Sequence, residues 1–376
     1  MNTNMLRIVI IFLSVLILCP SVSAENIVKP SNVDKDSLAF LIATQNGKVD
    51  VVTRYISMGQ SLEVKDDYGR TPLHIAIEFG HTEIIRILID AGADTEARTG
   101  RALQTYFGWT PLMFAAHWGN SEAIRLLTSA GADLNATEQG SRYPHSVLAI
   151  AAVEGNYLSA QQLIKLGANV NSTSEDRSFT PIFLASRHNH VELVELLINN
   201  GASVNEGTKD SYTPLHAAAI SGNMRIAELL INNGAKIDSK STGDSSPGET
   251  PLHVAAFTDQ VDLARLLVKH NANINSTTEY GHTPLRRAID AGNLSMAELL
   301  LEWKADVNIK DTNELSVLHI VAQSDMVSLA GKLIDLSSDI NARDKYSKFT
   351  PLDYAQDGNP EMIKIFEAAG GICTSC

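Results

Sequence analysis

Cysteine is almost absent from this chain: three in 376 residues, at positions 19, 373 and 376. A dense disulfide framework is thereby excluded, and a single C-x-x-C pair cannot complete a four-ligand zinc site. Basic residues are also scarce, 30 Lys and Arg against 43 Asp and Glu, for a formal net charge of −13. That balance argues against a nucleic-acid surface, which needs clustered Lys and Arg, and disfavours anionic lipid. Beyond the N-terminus no apolar run approaches the roughly 20 residues of a membrane span. Catalytic signatures are missing too. There is no G-x-S-x-G elbow, no P-loop and no G-x-G-x-x-G after a strand. The many carboxylate pairs fall at solvent-facing helix positions or turns. No catalytic residue, cofactor, cofactor-binding residue or metal site is expected.

The first 24 residues carry a different pattern. A short start ending in Arg7 precedes the apolar run Ile8 to Cys19, broken only by Ser14, and then Pro20-Ser21-Val22-Ser23-Ala24. This predicts a secretory signal peptide cut after Ala24. A lipid-anchored alternative would use Cys19, but Leu18 before it is bulky where that signal wants a small residue. The mature chain is then exported, periplasmic or secreted, with no membrane insertion. Residues 25–36 read as a polar linker.

What the chain has in abundance is one phrase. Thr213-Pro214-Leu215-His216 leads into Ala217-Ala218-Ala219 and Gly222, then into an apolar helix and Asn233-Gly234-Ala235. The unit returns from Thr71, Thr250 and Thr283, and in weaker copies from Ser37, Thr110, Ser146, Thr180, Ser316 and Thr350. Successive starts lie 34, 39, 36, 34, 33, 37, 33, 33 and 34 residues apart. The three long intervals all carry their extra residues in the polar stretch before the next start, which maps insertions to loops on one face. Proline at the second position suits a helix's first turn. Gly80, Gly119, Gly155, Gly222 and Gly292 fall nine residues after their starts, where a first helix is expected to stop in a left-handed residue. Asn46, Asn189, Asp259, Asp325 and Asn359 take that place elsewhere, and Asn and Asp tolerate the conformation best. The second helix is amphipathic: Ile84, Ile85, Ile87 and Leu88 recur at helical spacing.

These units resemble the ankyrin repeat, whose signature is T-P-L-H-x-A at a period near 33. The resemblance covers residues 37–370, as ten units with the last truncated, and leaves 371–376 as a tail. It implies an all-α repeat solenoid of helix-turn-helix units joined by β-hairpin loops. It also implies that His74, His216, His253 and His319 hydrogen-bond backbone near the hairpins. His188 and His190 form an H-x-H without an acid or Cys at ligand spacing. Asn135, Asn171, Asn275 and Asn293 head N-x-S/T sequons, three of them at turns that end repeats.

Ankyrin-like arrays generally bind proteins through hairpin tips and the exposed ends of first helices. Carried onto this sequence, the expected partner-binding residues are Phe79, Tyr106, Phe107, Trp109, His117, Trp118, Ile220 and Phe257. Tyr106, Phe107 and Trp109 sit in the longest insertion, which should be exposed. Phe179 and Phe349 have an alternative role, packing on the next hairpin. Cys373 and Cys376 are expected to form a local disulfide, with redox or zinc work and an intermolecular crosslink as alternatives. The expected molecule is a monomeric, exported, non-enzymatic scaffold for a protein partner. Its alternatives are a secreted effector or toxin component acting on a host protein and, third, an enzyme hidden in the array. Repeats consume nearly the whole mature length, leaving no second domain for a catalytic pocket.

Overall fold

The computed structural model describes residues 34–100, 106–140, 144–173, 179–243, 247–324, 326–336, 338–356 and 358–375. The predicted signal peptide and most of the linker lie outside them. The chain divides into two compact units, residues 1–203 and 204–376.

Both units are built from helix pairs. In the first they are α1 (Lys35–Gln45) with α2 (Val49–Ser57), α3 (Pro72–Glu78) with α4 (Thr82–Asp90), and α5 (Pro111–His117) with α6 (Ser121–Ser129). α7 (Val147–Glu154) with α8 (Tyr157–Lys165) and α9 (Pro181–Arg187) with α10 (Val191–Asn199) complete it. The second unit holds α11 (Pro214–Ser221) with α12 (Met224–Asn232), α13 (Pro251–Phe257) with α14 (Val261–Lys269), and α15 (Pro284–Ala291) with α16 (Leu294–Glu302). It ends with α17 (Val317–Ala322) and α18 (Val327–Asp335), then α19 (Pro351–Ala355) and α20 (Pro360–Ala368). None of the described helices is long and apolar enough to cross a membrane. Strands are absent among the described residues apart from one isolated bridge between Thr137 and Ser146. The expected β-hairpins are instead loops closed by backbone bonds such as Thr278 N–H to His282 O and Asp311 N–H to Leu315 O.

Alanine makes the first helices thin. Ala76, Ala115, Ala116, Ala151, Ala218, Ala255 and Ala288 are fully buried. Small side chains let neighbouring helices approach, while Ile84, Ile85 and Leu88 of the second helix fill the space behind. No helix pair could bury that face alone, so stacking supplies the core. The stop after the first helix is left-handed where expected, for example at Gly155 (φ 71°), and Asn189 and Asp259 adopt it as well. Two substitutes do not. Asn46 stays at φ −88° and the left-handed residue is Gly47, so the bond Lys48 N–H to Ala43 O matches His81 N–H to Ala76 O at a spacing of 33. Asn359 instead caps α20 at φ −70°. Asp325 lies outside the described residues. Lys35 and Asp36, assigned to the linker, open α1 behind an Asp34 cap.

Side chains tie each repeat to the next. In the histidine repeats, Nδ1 accepts from the cap residue, as in Thr213 N–H at 3.1 Å, and Nε2 donates to the carbonyl that precedes the next repeat. Those carbonyls belong to Trp109, Glu249, His282 and Phe349. Burial, the dominant cause, pushes His74 and His253 down to about 3 and His216 to about 4, so these imidazoles are neutral. A second ladder starts just past the first-helix stop. His81 donates to Gln45 O, His190 to Val153 O, and Asn293 uses both amide hydrogens on Ala256 O and Phe257 O. The third ladder runs along the repeat ends. Asn135 Oδ1 accepts from Asn169 N–H, Asn171 Oδ1 from Ser203 N–H, Asn275 Oδ1 from Asp306 N–H and Asn308 Oδ1 from Asp339 N–H. The sequon asparagines are therefore structural rungs.

Candidate protein-binding face

In the first unit the C-terminal ends of the first helices and the loops before them form one face. Phe79 follows α3 and Trp118 follows α5; they are 39% and 37% exposed, the large apolar groups this face offers to solvent. Both are helix-stop residues, one position before a left-handed glycine, so the backbone turns away and leaves the ring uncovered. Phe79 stacks on His81, and Trp118 stands edge-on to His117.

Glu78, next to Phe79 in the chain, belongs to a buried ionic triad. Arg70 reaches Asp66 at 2.7 Å and Glu78 at 2.5 Å, with all three side chains buried. Burial raises the Glu78 carboxyl, and Arg70 opposes that rise without cancelling it. His117 Nδ1 lies 3.2 Å from Glu154 Oε1. Arg187 and His188 end α9 and its turn; burial lowers the His188 pKa, and Arg187 adds to the effect.

The insertion aromatics sit differently from expectation. Tyr106 and Trp109 are buried, each 6% exposed, and only Phe107 of the three is half-buried. Trp109 turns inward because its polar groups find partners. Trp109 N–H donates to Thr99 Oγ1 at 3.0 Å, and the indole Nε1–H donates to Glu138 at 2.7 Å. Glu138 in turn accepts from His145 N–H. The rings of Tyr106, Trp109, Phe114 and His117 then close on one another, edge-to-face except for the tilted Tyr106–Phe114 pair, at centroid distances between 4.9 and 5.9 Å. His117 is likewise buried. Tyr106, Trp109 and His117 are thus a core beneath the face and not its contact surface. Phe179 packs on Phe183 of its own repeat and on His145 of the preceding hairpin, whereas the alternative role put it on the next hairpin.

The second unit has its own version. Ile220 and Phe257 are half-buried at the equivalent helix ends. Arg287 lies 4.4 Å over the Phe257 ring and 2.6 Å from Glu249, which also accepts from the Tyr212 hydroxyl at 2.6 Å. Sequence reasoning missed this buried Glu249–Arg287 pair. The signal was present in the unusual Arg287, which stands where other repeats put Ile75, Phe114 or Val254.

Comparison with known proteins settles the family. The model for ankyrin repeats matches three times, over residues 26–138, 148–241 and 240–311. The chain belongs to the ankyrin-repeat family. It is 39% identical over 57 residues to an ankyrin repeat-containing protein of Schizosaccharomyces pombe, covering 15% of this chain and 28% of that one. It is 28% identical over 170 residues to mouse Rabankyrin-5, covering 45% of this chain and 14% of the relative. Delta-latroinsectotoxin of Latrodectus tredecimguttatus matches at 37% over 70 residues, 18% of this chain and 6% of the toxin. The ankyrin chain therefore spans only a minor part of each relative. Among the described residues no group of three His, Cys, Asp or Glu side chains is placed to hold a metal ion. Cys373 is disulfide-bonded; Cys376 lies outside the described residues.

Proposed function

We propose that this ankyrin array is a non-enzymatic scaffold that binds a protein partner, with Phe79 and Trp118 as the anchors in its first unit. The observation that carries the reading is their exposure at consecutive first-helix ends. Large exposed aromatic side chains are the commonest anchors of interface hot spots. Ile220 and Phe257 offer a second, shallower surface in the other unit. The N-terminal signal pattern supports export, so the partner is sought in the periplasm or outside the cell. Affinity capture from native extracts tests the reading, with the parent compared to a Phe79→Ala/Trp118→Ala variant of unchanged circular dichroism. A partner held by the parent and lost by the variant is expected. Equal recovery by both sinks the assignment of the anchors. The same N-terminal pattern favours one further reading, a secreted effector acting on a host protein. Cell fractionation separates the two, since an effector accumulates in the medium.

A further inference from the structure

We infer that the last repeat ends in a peptide-binding slot of reversed polarity, whose ligand is an extended segment presenting N–H and hydroxyl donors at two successive residues. The chain's own Thr374-Ser375 occupies it. The slot lies at the far end of the second unit and is independent of the face carrying Phe79 and Trp118.

The reversal comes from one side chain. In the repeats that begin at Thr71, Thr213, Thr250 and Ser316, the histidine three residues on donates Nε2–H to a backbone carbonyl of the following segment. Asp353 holds that position in the last repeat. A carboxylate has no proton to give, and a carbonyl oxygen set against it would meet like partial charge. Whatever follows Asp353 must bring donors.

The tail does so. Thr374 N–H reaches Asp353 Oδ1 at 2.7 Å, Ser375 N–H at 2.8 Å and the Ser375 hydroxyl at 2.8 Å. The Thr374 hydroxyl takes Oδ2 at 2.7 Å, which also accepts from Thr350 N–H at 2.7 Å. Cys373 Sγ lies 3.2 Å from Oδ1. Asp353 is 8% exposed, and burial alone would raise its carboxyl; the bonds from Thr374, Thr350 and Ser375 outweigh it and hold the carboxyl well below the usual range. The other side of the slot keeps the ordinary rung. Ile372 N–H donates to Asn341 Oδ1 at 2.8 Å, as Asp339 N–H does to Asn308. The segment thus enters like another repeat and is then read by a pattern that a carbonyl-presenting repeat cannot satisfy. The fit at Asp353 selects for a donor-presenting segment.

Hydrogen exchange on the full-length chain under non-reducing conditions tests this. The Thr374 and Ser375 amides should exchange about tenfold or more slowly than in a free peptide, since hydrogen bonds to a charged acceptor are the stronger kind. Asp353→Ala removes both acceptor oxygens and should abolish the protection, leaving the amides of α18 as they were. Should that variant fail to fold, Thr374→Pro/Ser375→Pro leaves the repeats intact and opens the slot. A labelled peptide of residues 370–376 should then bind that full-length variant about tenfold or more tightly than the same peptide carrying the two prolines. Free-peptide exchange rates at both amides of the unsubstituted chain, or equal binding of the two peptides, would overturn the proposal.

Discussion

Two tryptophans nine positions apart do opposite work. Trp109 is buried, and its indole satisfies the buried carboxylate of Glu138, so Trp109→Ala leaves both a cavity and an orphaned acceptor. A loss of about 3–5 kcal/mol is expected, read as a lower urea midpoint. Trp118 is 37% exposed and holds no such bond, so Trp118→Ala should change stability by less than about 1 kcal/mol. A large effect at Trp118 would mean that it belongs to the core. The chain's sequence made the histidines legible and the insertion illegible, for one physical reason. His74 recurs in a fixed frame, so its partners are set by the repeat. Tyr106 and Trp109 stand in an irregular loop, and whether such rings turn in or out depends on contacts with Thr99, Glu138 and Phe114 that no local pattern encodes.

At the scale of the helix pair, stops and rungs govern stability. Lys304 ends the second helix of its repeat in a left-handed conformation (φ 64°) with its side chain exposed. Lys304→Gly should stabilise the protein by about 1 kcal/mol, because the strain goes and no contact is lost. Asn293→Ala should act the other way. It removes both donors to Ala256 O and Phe257 O, at a cost of about 1–3 kcal/mol, measurable by the same denaturation series. The helix boundaries were readable because Thr-Pro and glycine mark them. The misplaced stop at Asn46 shows where that fails. The first repeat lacks Thr-Pro, so its frame slipped by one residue, and the adjacent Gly47 took the left-handed turn.

Across the whole molecule the buried histidines make stability depend on pH. His74, His216 and His253 have folded pKa values of about 3, 4 and 3, below the ordinary 6.5, so unfolding takes up protons in acid. Their neutral burial carries no penalty above pH 6.5. Below it, each removes up to about 1.4 kcal/mol of stability per pH unit until its folded pKa is reached. The urea midpoint should be flat above pH 7 and fall steadily from pH 6 to pH 4; a flat profile over that window would mean these imidazoles are not buried as described. The ladders carry a consequence of a different kind. The rung from Asn171 spans 32 residues, those from Asn275 and Asn308 span 31, and the one from Asn135 spans 34, yet every one meets a backbone N–H of the same place in the following unit. Gain or loss of one whole unit by recombination in the gene would hand each rung an equivalent partner. A cut inside a helix pair would strand a donor or an acceptor, so such a chain can change its number of units, or lengthen the loops between rungs, more readily than it can shorten a helix pair.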